Sequence, residues 1–279
     1  MITRRFKVLS LAATFAIVIY FLIPVILLRF ALDRFIFLQV DGGPTHEDRR
    51  IDVSLPGNRS IVIRQYGNSR LPRCAIFFPG QHGGISVYEE ILFPDVRDLG
   101  AAVYTLSYPG QEGAKGYSRR VTLIDDIDAA MTAITNETSC QPRSAVFIGR
   151  SLGSAIAIFA AQRTRPKGLL LDGVSPTLST AIHAAVGRHM VTQPWSLLPL
   201  PSIVENDFPL APVIHSLRPT PVVIFQGTDD RVTPFAEAQK ALVGLDNLEF
   251  LAVPHAIHDN AYRVANLQYS KKLEELFAR

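Results

Sequence analysis

The sequence predicts an α/β fold, a mainly parallel sheet covered by helices on both faces, and three observations carry that expectation. Short, wholly apolar runs such as AIFFPG (75–80), GLLLDG (168–173) and PVVIFQG (221–227) read as strands buried on both sides. Stretches of helical character alternate with them along most of the chain. Residues 145–157, AVFIGRSLGSAIA, place a G-x-S-x-G motif between an apolar, β-rich run and a small, aliphatic run that suits a helix. The 279 residues, 48% of them hydrophobic, suffice for one large core. A net charge of +3 spread along the chain argues against a nucleic-acid partner. Two cysteines, without C-x-x-C or H-E-x-x-H, give no reason to expect a metal or other cofactor.

The chain opens on a hydrophobic segment. Residues 8–28, VLSLAATFAIVIYFLIPVILL, carry no charge over a length sufficient for a helix to cross a bilayer. Arg4, Arg5 and Lys7 precede the run and argue for a cytoplasmic N-terminus with the rest of the chain beyond the membrane. Arg29 and Arg34 follow closely and pull the other way. The run is long for a signal peptide and no small-residue cleavage site follows it, so an uncleaved anchor is expected. Residues 29–40, RFALDRFIFLQV, are amphipathic and suit either the membrane interface or the surface of the domain behind it. Residues 1–40 are thus read as anchor and connector, and residues 41–279 as one domain.

In that domain IDVSL and SIVIRQYG flank Pro56-Gly57-Asn58 and read as a hairpin. AIFFPG follows, then a helical stretch from about Ser86 to Leu99, the strand AVYTLSYPG (102–110) and a helical stretch from about Val121 to Thr135. The strand and helix of the G-x-S-x-G segment come next, then GLLLDG and PVVIFQG. A helix from about Pro234 to Val243, the strand LEFLAVP (248–254) and a helix from about Asn260 to Ala278 close the chain, which makes about eight strands. Residues 176–219 break the alternation, with seven prolines, the only tryptophan (Trp195) and no convincing strand. They read as a cap-like insertion over the C-terminal edge of the sheet, a lid or acyl-binding wall, or as an irregular connection.

Chemistry enters at the G-x-S-x-G turn. A chance occurrence is expected in roughly one chain in ten at average Gly and Ser usage, so the strand–turn–helix context gives the motif its meaning. A turn that sharp excludes side chains at Gly149 and Gly153 and lifts Ser151 above the sheet edge. The helix that follows aims its N-terminus, and the Leu152 N–H, at negative charge forming beside the serine. The chemistry then needs a histidine to take the serine proton and a carboxylate to hold that histidine's tautomer. Both are available downstream, and both are ambiguous: Asp229 or Asp230 after PVVIFQG, and His255 or His258 after LEFLAVP. The order Ser, Asp, His is the one expected of a strand-edge hydrolase. A second oxyanion donor is expected just after AIFFPG, where Gly80 permits close backbone approach and the Gln81 N–H is the candidate. His82 reads as a polar loop residue on that oxyanion side. Arg150, beside the serine, either favours an anionic substrate or packs at the sheet edge. Asp125, Asp126 and Asp128 suit a solvated helix N-terminus better than a metal site.

These residues carry a family resemblance. GRSLGSAIAI resembles the elbow and helix of the α/β-hydrolase superfamily, and YPGQEGAKGYS (108–118) is similar to that family's Gly-rich loop after the fourth strand. QGTDDRVTP is similar to the family's segment after the seventh strand, in which the acid stands at the position of Asp230. VPHAIHDN matches its V-P-x-x-x-H-[ND] ending, which selects His258 and leaves His255 in the loop. The resemblance covers nearly everything after about residue 50 and looks closest to small membrane-anchored serine hydrolases with a minimal cap. One departure is Pro79-Gly80 where the family usually has His-Gly. In this family the strands that follow Cys74 and Cys140 are neighbours, so a disulfide at the N-terminal edge of the sheet and two buried thiols are both compatible with the sequence.

The resemblance implies an α/β-hydrolase fold and a serine hydrolase, with Ser151 as nucleophile, His258 as base and acid, Asp230 as its orienter, and Gln81 and Leu152 as oxyanion donors. The substrate expected is an ester or thioester, and the anchor and the apolar insertion favour one of lipid-like or acyl character reached at the bilayer surface. A peptidase on the same three residues, or an inactive membrane-tethered binding module, are the competing expectations.

Overall fold

The computed structural model describes residues 2–44, 46–68 and 70–279, with side chains from residue 10 onward; those of Arg4, Arg5 and Lys7 lie outside the described residues. Strands β1 (Arg49–Leu55) and β2 (Arg59–Tyr66) form the expected hairpin, Leu55 opposite Arg59, with Gly57 and Asn58 at positive φ in the turn. Strands β3 (Arg73–Phe78), β4 (Ala101–Ser107), β5 (Val146–Arg150), β6 (Gly168–Asp172), β7 (Val222–Gly227) and β8 (Leu248–Val253) complete an eight-stranded sheet. Its order is β1-β2-β4-β3-β5-β6-β7-β8, antiparallel through β1, β2 and β4 and parallel from β4 onward. The C-terminal ends of all the parallel strands therefore lie on one edge, where the chain must place its loops.

Alternation along each strand divides the interior into two layers. Ile76 and Phe78 of β3, with Phe147 of β5, pack against α5 (Leu123–Glu137) and α6 (Leu152–Thr164) on one face. Ala75 and Phe77 turn to the other face, where α3 (Ile85–Ile91), α4 (Phe93–Asp98), α11 (Ala261–Val264) and α12 (Asn266–Ala278) contribute Ile85, Phe93, Tyr262, Leu273 and Phe277. Two expected helices are interrupted. Pro94 lacks an N–H at the start of α4, so the stretch over 86–99 breaks at Leu92, and the closing helix breaks at Ala265. The α10 helix (Phe235–Leu242) buries Ala238 and Leu242 beside β8.

Residues 176–219 are helical rather than irregular. Thr177 accepts a hydrogen bond from the Thr180 N–H and starts α7 (Leu178–Gly187), and Asp207 reaches back to the Ser179 N–H and hydroxyl. A 3₁₀ turn (Gln193–Leu197), α8 (Leu200–Ile203) and α9 (Leu210–Ser216) follow.

At the N-terminus α1 spans Ile2–Phe30, and its segment Ser10–Phe30 is long and apolar enough to cross a membrane, with a mean hydropathy of 2.7. The short α2 (Leu32–Ile36) resolves the amphipathic connector in favour of the domain: Leu32, Ile36 and Phe37 are buried. Val40 then pairs with the loop after β4, donating to Gly110 O and accepting from the Glu112 N–H.

The acidic cluster is ion-paired. Asp126 is buried against Arg59, contrary to the solvated helix start expected, while Asp125 and Asp128 meet Arg163. Cys74, in β3, and Cys140, before β5, are joined in a disulfide at the N-terminal edge of the sheet. The bond closes a loop of 66 residues, for which chain entropy gives about 4 kcal/mol of stabilisation. Cys140→Ser is expected to lower stability by about 2–4 kcal/mol, and reduction of the wild type should lower its Tm while leaving that of the variant unchanged.

Candidate active site

Ser151 sits between β5 and α6 at φ 54°, ψ −121°, a conformation that non-glycine residues rarely hold. Its neighbours explain how the chain keeps it there. A Cβ on Gly153 would lie 1.9 Å from Phe78 O, and one on Gly149 would lie 2.7 Å from Ser154 Cα. Both glycines are required by close approach, as the sharp turn demands. Two hydrogen bonds clamp the turn from below: the Ser151 N–H and the Ser154 hydroxyl both donate to Asp172 O, at 2.8 and 2.9 Å.

Ser151 Oγ lies 2.9 Å from His258 Nε2, and His258 Nδ1 lies 2.8 Å from Asp230 Oδ2. Asp230 follows β7 and is almost fully buried. Burial opposes its ionisation, but hydrogen bonds from His258 and Thr233 outweigh that cost and hold its carboxyl below the usual range. Oδ1 accepts the Val232 and Thr233 N–H groups at 2.8 Å each, and Oδ2 accepts the Thr233 hydroxyl at 2.6 Å. The other two candidates stand apart from this line. His255 and Asp229 face each other 3.8 Å apart on the surface, and the His255 side chain is 93% exposed. His82 is exposed as well. Arg150 spends its guanidinium on His258 O and on Asp259 Oδ1, the latter at 3.0 Å, and so ties the histidine loop to the sheet edge.

Gln81 and Leu152 flank Ser151 on the wall of one cavity of about 390 Å³. The remaining wall is largely apolar; α1, α2, α6 and α7 contribute Leu28, Ile36, Ile156 and Ile182, and Trp195 and Phe208 line it as well. The loop carrying Gln81 is braced from the Gly-rich segment after β4. Gln111 Nε2 donates to Gln81 O at 2.8 Å, and Glu112 Oε1 accepts the Ile85 N–H at 2.9 Å. Buried Arg64 fixes that segment in turn through Ser107 Oγ at 2.5 Å and through Glu112 O.

Several of these residues carried a signal in the sequence that the motif reading passed over. Gln226 interrupts an otherwise apolar strand; it receives the Val174 N–H on Oε1 at 2.8 Å and donates to Thr233 O at 2.5 Å, below the acid. Asp172 likewise ends an apolar strand. Its Oδ1 has no hydrogen-bond partner among the described residues. Burial pushes its carboxyl up to about 6 against the attraction of Arg150 and His258. Between pH about 4, where the unfolded carboxyl ionises, and about 6, the folded protein holds a proton that the unfolded chain has released. That contribution makes stability fall as pH rises through this window, by on the order of 3 kcal/mol in total. Asp172→Asn removes it. Urea unfolding should therefore find the variant gaining on the wild type between pH 4.5 and pH 7, and a pH-independent difference would contradict a carboxyl titrating near 6.

No family model matches the chain. It is 26% identical over 219 residues, 74% of each protein, to an uncharacterised protein of Mycobacterium tuberculosis. It is 23% identical over 246 residues to the alpha/beta hydrolase domain-containing protein WAV2 of Arabidopsis thaliana, covering 79% of this chain and 78% of that one. Among solved structures, the Pyrococcus furiosus esterase Pf2001 superposes with a TM-score of 0.66 at 16% identity, over 87% of this chain and 98% of its own. An alpha-beta hydrolase from Vibrio vulnificus superposes with a TM-score of 0.65 at 16% identity, over 83% and 81%. These likenesses agree with the strand order: the chain has the α/β-hydrolase fold.

Proposed function

We propose that the protein is a serine hydrolase that cleaves carboxylic ester or thioester bonds of lipid-like or acyl substrates through an acyl-enzyme. The observation that carries this reading is the unbroken hydrogen-bonded line from Asp230 through His258 to Ser151, opening into an apolar cavity. His258 Nε2 takes the Ser151 proton as Oγ bonds to the acyl carbon, while Asp230 holds the ring and stabilises the imidazolium. The Gln81 and Leu152 N–H groups receive the developing oxyanion. Collapse breaks the bond to the leaving alcohol or thiol, which departs with the proton from His258. Water, deprotonated by the same imidazole, then attacks the acyl carbon and releases the acid and free Ser151.

Residues 1–40 serve as anchor and connector and residues 41–279 as the hydrolase domain, with 176–219 as its cap. The basic residues before α1 and the disulfide support an N-terminus in the cytoplasm and a domain in an oxidising compartment across the membrane.

A fluorophosphonate probe is expected to label the wild type and not Ser151→Ala. His258→Ala should slow labelling by roughly 10²–10⁴-fold. Absence of labelling in folded wild type would overturn the reading.

A further inference from the structure

Resting on that hydrolase reading, we propose that α1 is one wall of the acyl pocket, and that the substrate is a membrane-resident fatty-acyl ester entering from the leaflet between α1 and α7. A helix that only tethers a domain has no reason to touch its active site. Here Leu27 and Leu28 line the cavity that holds Ser151, facing Ile182 and Val186 of α7. The two halves of α1 differ. Residues 10–19 are exposed on every side, whereas Pro24 is buried against the domain. Three contacts hold the second half in place: the Tyr20 hydroxyl donates to Val191 O, its ring lies 5.6 Å from that of Trp195, and Arg29 pairs with Glu205. Arg120 adds a fourth tie, bonding Asp33 of α2 at 2.5 Å and Glu205 O.

This docking sets a depth. Tyr20 stands nine residues before Arg29, about 13 Å along the helix axis. With Arg29 at the boundary of a hydrocarbon core about 30 Å thick, the segment that meets Tyr20 lies well inside one leaflet. Tilt of α1 reduces that depth and lets Arg188 reach the headgroups on its long stem. Three apolar residues of this segment point outward, Met190 at 90% exposure, Val191 at 74% and Leu197 at 81%, with Arg188, His189 and Gln193 exposed beside them. In water three such neighbours are a liability, and in a leaflet they are covered by acyl chains. Entry between α1 and α7 would then lie at the level of the lipid tails, and Leu27, Leu28, Ile182 and Val186, which these two helices contribute to the cavity of Ser151, are apolar.

The test uses the full chain in phosphatidylcholine vesicles. Wild type, Leu28→Trp and Ile182→Trp are compared on 4-methylumbelliferyl palmitate and acetate, with fluorophosphonate labelling as the check that Ser151 stays active. Each variant should lower the palmitate-to-acetate ratio of kcat/KM at least tenfold. An unchanged ratio in labelled Leu28→Trp would overturn the assignment of α1 as a wall, whereas a wild type that does not label would strike the hydrolase reading instead. A second arm is independent of turnover. Both native cysteines are paired, so the thiol of Leu197→Cys alone takes an NBD label. Blue-shifted emission, quenched at least twofold by tail-labelled doxyl lipids, is expected. A solvent-like probe quenched by iodide would overturn lateral entry.

Discussion

The contact on which the site depends is the one between the glycines of the elbow and the backbone around them. Phe78 O and Pro79 O stand where a Cβ of Gly153 would be, so β3 and the start of α6 meet backbone to backbone. Only that separation lets α6 begin directly under Ser151 while the chain leaving β3 passes alongside. Gly80 continues the approach, since its Cβ would stand 3.4 Å from Ser151 Cβ. The unfavourable φ of Ser151 is held by bonds to Asp172 O and by the packing of α6, and not by its own preference. Positioning of the serine is thus a property of three adjacent parallel strands, β3, β5 and β6.

Around that contact the site is assembled in shells that come from distant stretches of the chain. The acid is held by its own loop and by Gln226 beneath it. The histidine is held by the acid on one side and by Arg150 through its carbonyl on the other. The loop of Gln81 is held by Gln111 and Glu112, which are themselves fixed by Arg64 and by the backbone of Val40. Through Val40 and the Gln81 side chain, which donates to Phe35 O, the connector after the apolar helix is part of the scaffold of the Gln81 loop.

Much of this arrangement is legible in the sequence where one local rule dominates. The parallel strands announce themselves as apolar runs, the hairpin by its turn residues, and the elbow by glycines flanking a serine between strand and helix. Spacing alone cannot choose between Asp229 and Asp230 or between His255 and His258. Both pairs exist in the structure, one at the surface and one buried, and burial is a property of the fold. The helices of 176–219 escaped because their prolines mask short segments, of which α7, started by the Thr177 side-chain cap, is the longest. The bracing residues escaped for another reason: Gln111, Glu112 and Arg64 act through contacts separated by 27 to 48 positions, which no short pattern encodes.

The bond between Tyr20 and Val191 spans 171 positions. On the reading that α1 is membrane-inserted, the helix enters the bilayer when most of the chain has yet to be made. The segment of Val191, which also lines the cavity through Trp195, follows β6 in the chain and is made later. Until then the inner face of α1 is solvated by lipid tails alone. On that reading the pocket-facing side of α1 belongs to a lipid-covered surface before it belongs to a pocket.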